Sequence, residues 1–299
     1  MTEPFQKQYS SPLRIVELLK LRGLSIEDDN LGVAALKRIG YYRLSAYLYP
    51  FIETPKEQQL FKRGSTLESA LTLYDFDQNL RIMIFGEIAR IEVAVRSALA
   101  NIVSKETGNV FWITESSSYA NKEQFYKTMQ VIDKELMRTK EIFIAHFRHK
   151  YIDPYPPAWM LVEVLPLGTI NSILGSLANN KLRKEIAAEF SLPAPVFKSW
   201  LTVIALTRNA CCHHARIWNK ENAISPVVPR SLQRPWLGSN VRPDRIFYNI
   251  SIIKWFANVL TPGNDLSRRL RNLLSDYPTV DINSMGFPAD WQNEPIWQS

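Results

Sequence analysis

The stretch Arg208–Asn219, RNACCHHARIWN, holds both cysteines, two of the four histidines and two arginines of a 299-residue chain. Such a cluster fits four chemistries: a metal site, a nucleophilic thiol, acid–base work on a phosphate, or the polar end of an ordinary helix. Zinc fits poorly. A tetrahedral ion needs ligands that converge on one point, whereas consecutive helical residues point about 100° apart in turn. An activated thiol needs an exposed, electropositive setting, and nothing marks Cys211 or Cys212 for one. The apolar run Trp200–Leu206 continues through Ala210, so at least one cysteine is expected in the core as a small apolar residue.

Phosphate chemistry uses these residues better. Asn209 and His213 are four apart and share a helix face; Arg208 and Cys212 form the neighbouring pair, and Arg216 lies three beyond His213. An imidazole, titrating at about pH 6.5, can take a proton from a ribose 2′-hydroxyl or give one to a leaving 5′-oxygen. A guanidinium can grip the phosphate and stabilise charge building on its oxygens. Cleavage of an RNA phosphodiester is one reading of that spacing. A polar helix end with a satisfied histidine is the other.

The elements that must position this edge are helical. Apolar residues recur at helical spacing, no series of alternating strands is present, and the expected class is all-α. One helix opens at Ser11 and Pro12 and stops at Gly23; a second covers Asp28–Ile39 and ends at Gly40. A polar connection, Pro55–Gly64, precedes a long helical pattern over Thr66–Glu106 with a break expected near Gly86. A charged helix is expected over Lys122–Lys150, and DPYPPAWM starts another that Pro166 and Gly168 should bend. A short helix over Lys181–Phe190 leads to the one carrying RNACCHHARIWN, which begins near Ser191 or Pro193. Closing helices are expected over Arg245–Leu260 and Asp265–Leu274, before an irregular aromatic tail.

Net charge is +7, and the stretch Arg208–Arg245 alone carries +5 of it, with seven basic residues against Glu221 and Asp244. A polyanionic partner is therefore favoured. Adjacent cysteines provide no disulfide framework and suit a reducing compartment. With no signal-like start and no run of about 20 apolar residues, the expected setting is soluble and cytoplasmic.

Other residues carry two readings each. Glu92 and Arg96, four apart on an apolar helix, are either an internal ion pair or partners that orient the Arg208–His213 edge from a facing helix; Arg90 belongs beside them. In GYYRLSAYLYPF, Tyr42 and Arg43 could stack bases and hold phosphate, or the aromatics could simply pack. His146 and His149 sit on a charged face. Trp159 and Trp218 read as packing anchors. Arg230, Arg234, Arg242 and Arg245 form the best candidate for nonspecific phosphate contacts, or else a solvated, proline-stiffened connector.

RNACCH resembles the R-N-x-x-x-H signature of HEPN-domain ribonucleases, and RNACCHHARIWN is similar to the form it takes in the Abi-like (AbiD/AbiF) abortive-infection proteins of bacteria. LLKLRGL, RIGYYRLSAYLYPF, LYDFDQNLRIMIFGEIARIEVAVR, PPAWMLVEVLPLGTI and MGFPADWQNEPIW each resemble a block of that family, in order. The resemblance implies a HEPN-like helical core over 65–222, an N-terminal helical segment over 1–64, and a basic loop with a C-terminal helical extension over 223–299. It also implies a metal-independent endoribonuclease toxin without cofactor, in which the 2′-hydroxyl attacks its own phosphate. Arg208 and His213 are the implied catalytic pair, Asn209 the polar residue after the arginine, and His214 and Arg216 an extension of the motif. One motif per chain implies a homodimer with a shared cleft. RNA is the implied substrate, and a structured noncoding RNA a plausible restraint; a non-catalytic RNA-binding module is the alternative.

Overall fold

The computed structural model describes residues 4, 6, 8–238 and 240–298. Among them are twelve α-helices, seven single-turn 3₁₀ helices and no β-sheet. The fold is all-α, as the periodicity predicts. In chain order the helices are α1 Pro12–Leu21, α2 Asp29–Ile39, α3 Tyr41–Leu48, α4 Leu67–Thr107, α5 Lys122–Arg138 and α6 Ile142–Lys150. They continue with α7 Ala158–Val164, α8 Leu167–Ser176, α9 Asn180–Glu189, α10 Ala194–Cys212, α11 Ile246–Leu260 and α12 Leu266–Asp276.

Local chemistry sets many of these boundaries. Ser11 caps α1 by accepting from the Arg14 amide, with Pro12 in the first turn. Asp28 caps α2 through the Asn30 amide, and Gly40, at φ 83°, ends it. Three expectations fail. α4 runs unbroken through Gly86: a helical glycine costs only about 1 kcal/mol, too little to interrupt a helix that buries Ile84, Ile88, Ile91 and Val95. The charged segment is two helices, because Thr139 turns extended and its hydroxyl accepts from the Glu141 amide. Pro166 breaks rather than bends its helix: Leu165 before it is extended, as the clash with a following proline ring favours.

The chain divides into two compact units, Met1–Leu80 with Leu273–Val280, and Arg81–Asn272 with Asp281–Ser299. In the first, Val16, Leu19, Leu36, Leu44, Leu48 and Leu67 make the core. Gly32 lets α1 approach α2, since a Cβ there would meet Val16 at 3.0 Å. In the second, α11 is buried nearly all round, which is why its sequence is apolar on every face. The Trp255 indole of α11 donates to the Phe190 carbonyl at 2.9 Å, and Trp200 of α10 donates to Val227 at 3.0 Å. The aromatic tail, irregular in sequence, is ordered by packing: Phe287, Trp291 and Trp297 close around Phe247, and Trp297 donates to Ser251 at 3.0 Å. No single helix among the described residues is long and apolar enough to cross a membrane.

Candidate active site

α10 carries RNACCHH to its C-terminus and turns Trp200, Leu201, Val203, Ile204, Thr207 and Cys211 into the core. Cys211 is buried and Cys212 half-buried. The opposite edge presents Asn209 and His213 to solvent, with Arg208 partly covered. Main-chain hydrogen bonds fix how the helix ends. The His213 amide donates to the Asn209 carbonyl at 3.0 Å, His214 to Cys211 at 3.1 Å and Ala215 to Ala210 at 2.9 Å. The last two bonds make the paired closure in which the residue after the cap turns left-handed. Here that residue is His214, at φ 54°, a conformation more often given to glycine. The His213 imidazole makes no side-chain hydrogen bond among the described residues.

Arg208 reaches toward α4. Its Nε lies 3.6 Å from Glu92 Oε2, an ion pair too long for a hydrogen bond, and this buried nitrogen has no hydrogen-bond partner. Its Nη1 stands 3.5 Å from Asn209 Oδ1. The other Glu92 oxygen accepts from Arg96, whose second nitrogen donates to the Val162 carbonyl and to the Leu165 carbonyl at 2.7 Å. Arg96 thus has two compensations for its burial, a carboxylate and the carbonyl end of α7. The two sequence readings of Glu92 describe the same carboxylate: it pairs with Arg96 and it faces Arg208. Arg90 turns elsewhere, to the buried Glu87 at 2.9 Å.

A second link from α4 has little signal in the sequence. The buried Arg81 donates to the Ala215 carbonyl at 3.3 Å, just past the motif histidines. The only clue was an arginine inside the apolar stretch LRIMIF. Beyond Ala215, Ile217 and Trp218 are buried and the Trp218 indole donates to Asp281 at 3.3 Å, so Trp218 is the anchor its composition suggests. Trp159 is not: it is 49% exposed, because α7 turns Ala158, Leu161 and Val162 inward instead. His214 is exposed and Arg216 half-buried.

The remaining candidates divide. Arg242 grips Asp244 through two bonds, at 3.1 and 2.6 Å, and holds that carboxyl below its ordinary range. Arg245 pairs with Glu221 at 2.7 Å and Asn219 at 3.1 Å. Both brace the loop. Arg230 and Arg234 are exposed and form no ion pair among the described residues. In the other unit, Tyr42 is 93% exposed and Arg43 half-buried. His146 and His149 are exposed on α6. Beside α10, Leu206, Ala210, Ile217 and Ile224 line an apolar pocket of about 140 Å³ with Asn222 and Asn249, but neither Arg208 nor His213 borders it. Among the described residues no three His, Cys, Asp or Glu side chains converge as metal ligands would.

The Abi-like protein family matches residues 34–219. That is more than half of the chain, and the chain belongs to this family, which is linked to abortive infection. The matched region includes Glu92 and Arg96, ends on the last residue of RNACCHHARIWN and leaves out the loop of Arg230–Arg245. No curated protein and no solved structure matches the chain.

Proposed function

We propose that this protein is a HEPN-type endoribonuclease of an abortive-infection system, acting without a metal. The observation that carries the reading is on α10: an exposed imidazole with no side-chain hydrogen bond, on the same helix edge as an arginine that an acid restrains. Arg208 binds the scissile phosphate and stabilises charge on its non-bridging oxygens. Asn209 orients the phosphate or the guanidinium. The ribose O2′–P bond forms and the P–O5′ bond breaks, leaving a 2′,3′-cyclic phosphate and a 5′-hydroxyl. One proton leaves the 2′-hydroxyl and one reaches the 5′-oxygen; His213 serves at one of these positions.

Two proton transfers ask for two groups, and each chain supplies one motif. The proposed working form is therefore a homodimer. An exposed apolar stripe on α4 supports it: Ile82 and Val93 are each 63% exposed and Phe85 38%, with Ala89 between them. These positions share one helix face, next to Glu92. The excess positive charge supports an RNA substrate, and a structured noncoding RNA as the restraining partner.

The test is incubation of purified protein with total RNA in EDTA, followed by mapping of cut sites and end chemistry. Cleavage leaving cyclic phosphates is expected. His213→Ala or Arg208→Ala should lower it by about 10²–10⁴ while circular dichroism stays unchanged. Cleavage retained by His213→Ala, with contaminating nuclease excluded, rules the assignment out. Salt-sensitive RNA binding with no new ends would instead favour a non-catalytic RNA-binding module, for which exposed Arg230 and Arg234 speak.

A further inference from the structure

A second cavity, of about 560 Å³, opens where α8, α9 and the start of α10 meet. Its volume falls in the range of small-molecule sites, roughly 300–1,000 Å³. The lining has two chemistries. Leu174, Leu192 and Phe197 form an apolar wall, and Arg183, Lys184 and Lys198 form a cationic side. No acidic residue lines it, and none of the three cations makes an ion pair among the described residues. Glu185, on the same helix as Arg183, is occupied by Lys181 at 3.3 Å.

Two of the cations lie against Gly175. Its carbonyl lies 3.5 Å from Arg183 Nη1, at the limit of a hydrogen bond. The Lys198 side chain crosses directly over it: a Cβ at this position would stand 2.6 Å from Lys198 Cε and 2.9 Å from Nζ. The absence of a side chain at Gly175 leaves room for the flexible end of Lys198 to lie across it. Arg183 Nε is buried and has no hydrogen-bond partner. Like charges gathered at an apolar cleft without a counter-ion repel one another, and a bound anion relieves that repulsion.

We propose that this cavity binds a nucleotide 5′-polyphosphate, with the phosphates on Arg183, Lys184 and Lys198 and the base against Leu174, Leu192 and Phe197. Neither a bare phosphate nor an uncharged apolar molecule uses both sides of the cavity. The assignment does not rest on the nuclease reading. The cations are on α9 and the first turns of α10, whereas the motif ends that helix; ten residues separate Lys198 from Arg208, about 15 Å along a helix.

The test is calorimetric titration of the full-length protein with ATP and GTP, and with adenosine and tripolyphosphate alone. At least one nucleotide should bind saturably at one site. The double variant Arg183→Gln/Lys198→Gln should weaken it by about tenfold or more. His213→Ala and Arg208→Ala should bind like the wild type, which separates this site from the proposed nuclease centre. Failure of both nucleotides to bind overturns the proposal, as does unchanged binding in the double variant. Tripolyphosphate binding as tightly as the better nucleotide overturns the role of the apolar wall and with it the ligand class. Nucleotide binding lost in His213→Ala assigns the ligand to the other site.

Discussion

A long arginine side chain loses substantial rotamer freedom when it is fixed, so one that must meet a phosphate gains from being held beforehand. For Arg208 of α10 the restraint is Glu92 of α4, 3.6 Å away and itself bonded to Arg96. Glu92→Gln keeps the shape and removes the charge. On the proposed function it should lower RNA cleavage by up to about 10²-fold, the scale of a 1 Å misplacement. Adding Glu92→Gln to Arg208→Ala should cost little more than Arg208→Ala alone, because the two residues act as one unit. Full additivity in that double-mutant cycle would make Glu92 merely structural. His214 permits a separate test. Its left-handed backbone tolerates glycine, so the β-branched His214→Val should be less stable than His214→Gly by about 1–2 kcal/mol. Urea melts of the two variants measure this. RNACCHH itself is legible in the sequence because a helix converts spacing into direction. The partnership of Glu92 with Arg208 is not, since 116 positions separate them and no local rule spans that distance.

Periodicity foretells helices, and it also explains the errors. The start at Ser11 and Pro12 and the stop at Gly40 are local signals, and they hold; Asp28, expected as the first residue of its helix, is its cap. Gly86 misleads because tertiary burial along α4 outweighs one weak propensity. The split between α5 and α6 is missed because a single threonine side chain makes it. The buried polar residues joining α4, α11 and α12 are equally hidden. Glu87, 3% exposed, accepts from Arg90 and from Arg269 of α12. Lys254 of α11 is fully buried and donates to Asn264 at 3.3 Å. Burial lowers its pKa to about 8, helped by the Arg271 charge and opposed by Glu87 and Asp265. Between about pH 8 and the ordinary lysine value near 10.4, the unfolded chain then binds more protons than the folded one, so stability rises with pH there. Below pH 8 both states are protonated and the penalty is complete. The wild-type unfolding free energy should therefore gain on that of Lys254→Met as pH is raised from 8 to 10. Parallel curves for the two proteins would contradict this.

For the molecule as a whole, periodicity anticipates an all-α chain and composition an excess charge of +7, and the helices bear out the class. Composition does not reveal which arginines are spent inside the fold. Arg242 and Arg245 brace their loop, whereas Arg230 and Arg234 remain outside. On the proposed RNA-directed function, replacing each of the latter with alanine should reduce the slope of log affinity for RNA against log salt by about one; replacing Arg242 should change it less, and filter binding at several salt concentrations checks this. The exposed stripe of α4 makes another prediction at this scale. On the proposed function, Val93→Glu should turn the proposed homodimer into a monomer in sedimentation velocity and lower cleavage, without changing helix content. A dimer that survives this substitution moves the interface off that stripe. The finish of α10 also bears on how genetic screens of this chain are interpreted. The bonds from His213, His214 and Ala215 back into the helix join amides to carbonyls alone, so this closure survives when the exposed His213 imidazole is trimmed away. Alanine substitutions at the exposed Asn209 and His213 should therefore yield soluble, normally abundant protein, and on the proposed function a lost phenotype in either reports altered reactivity rather than a collapsed chain.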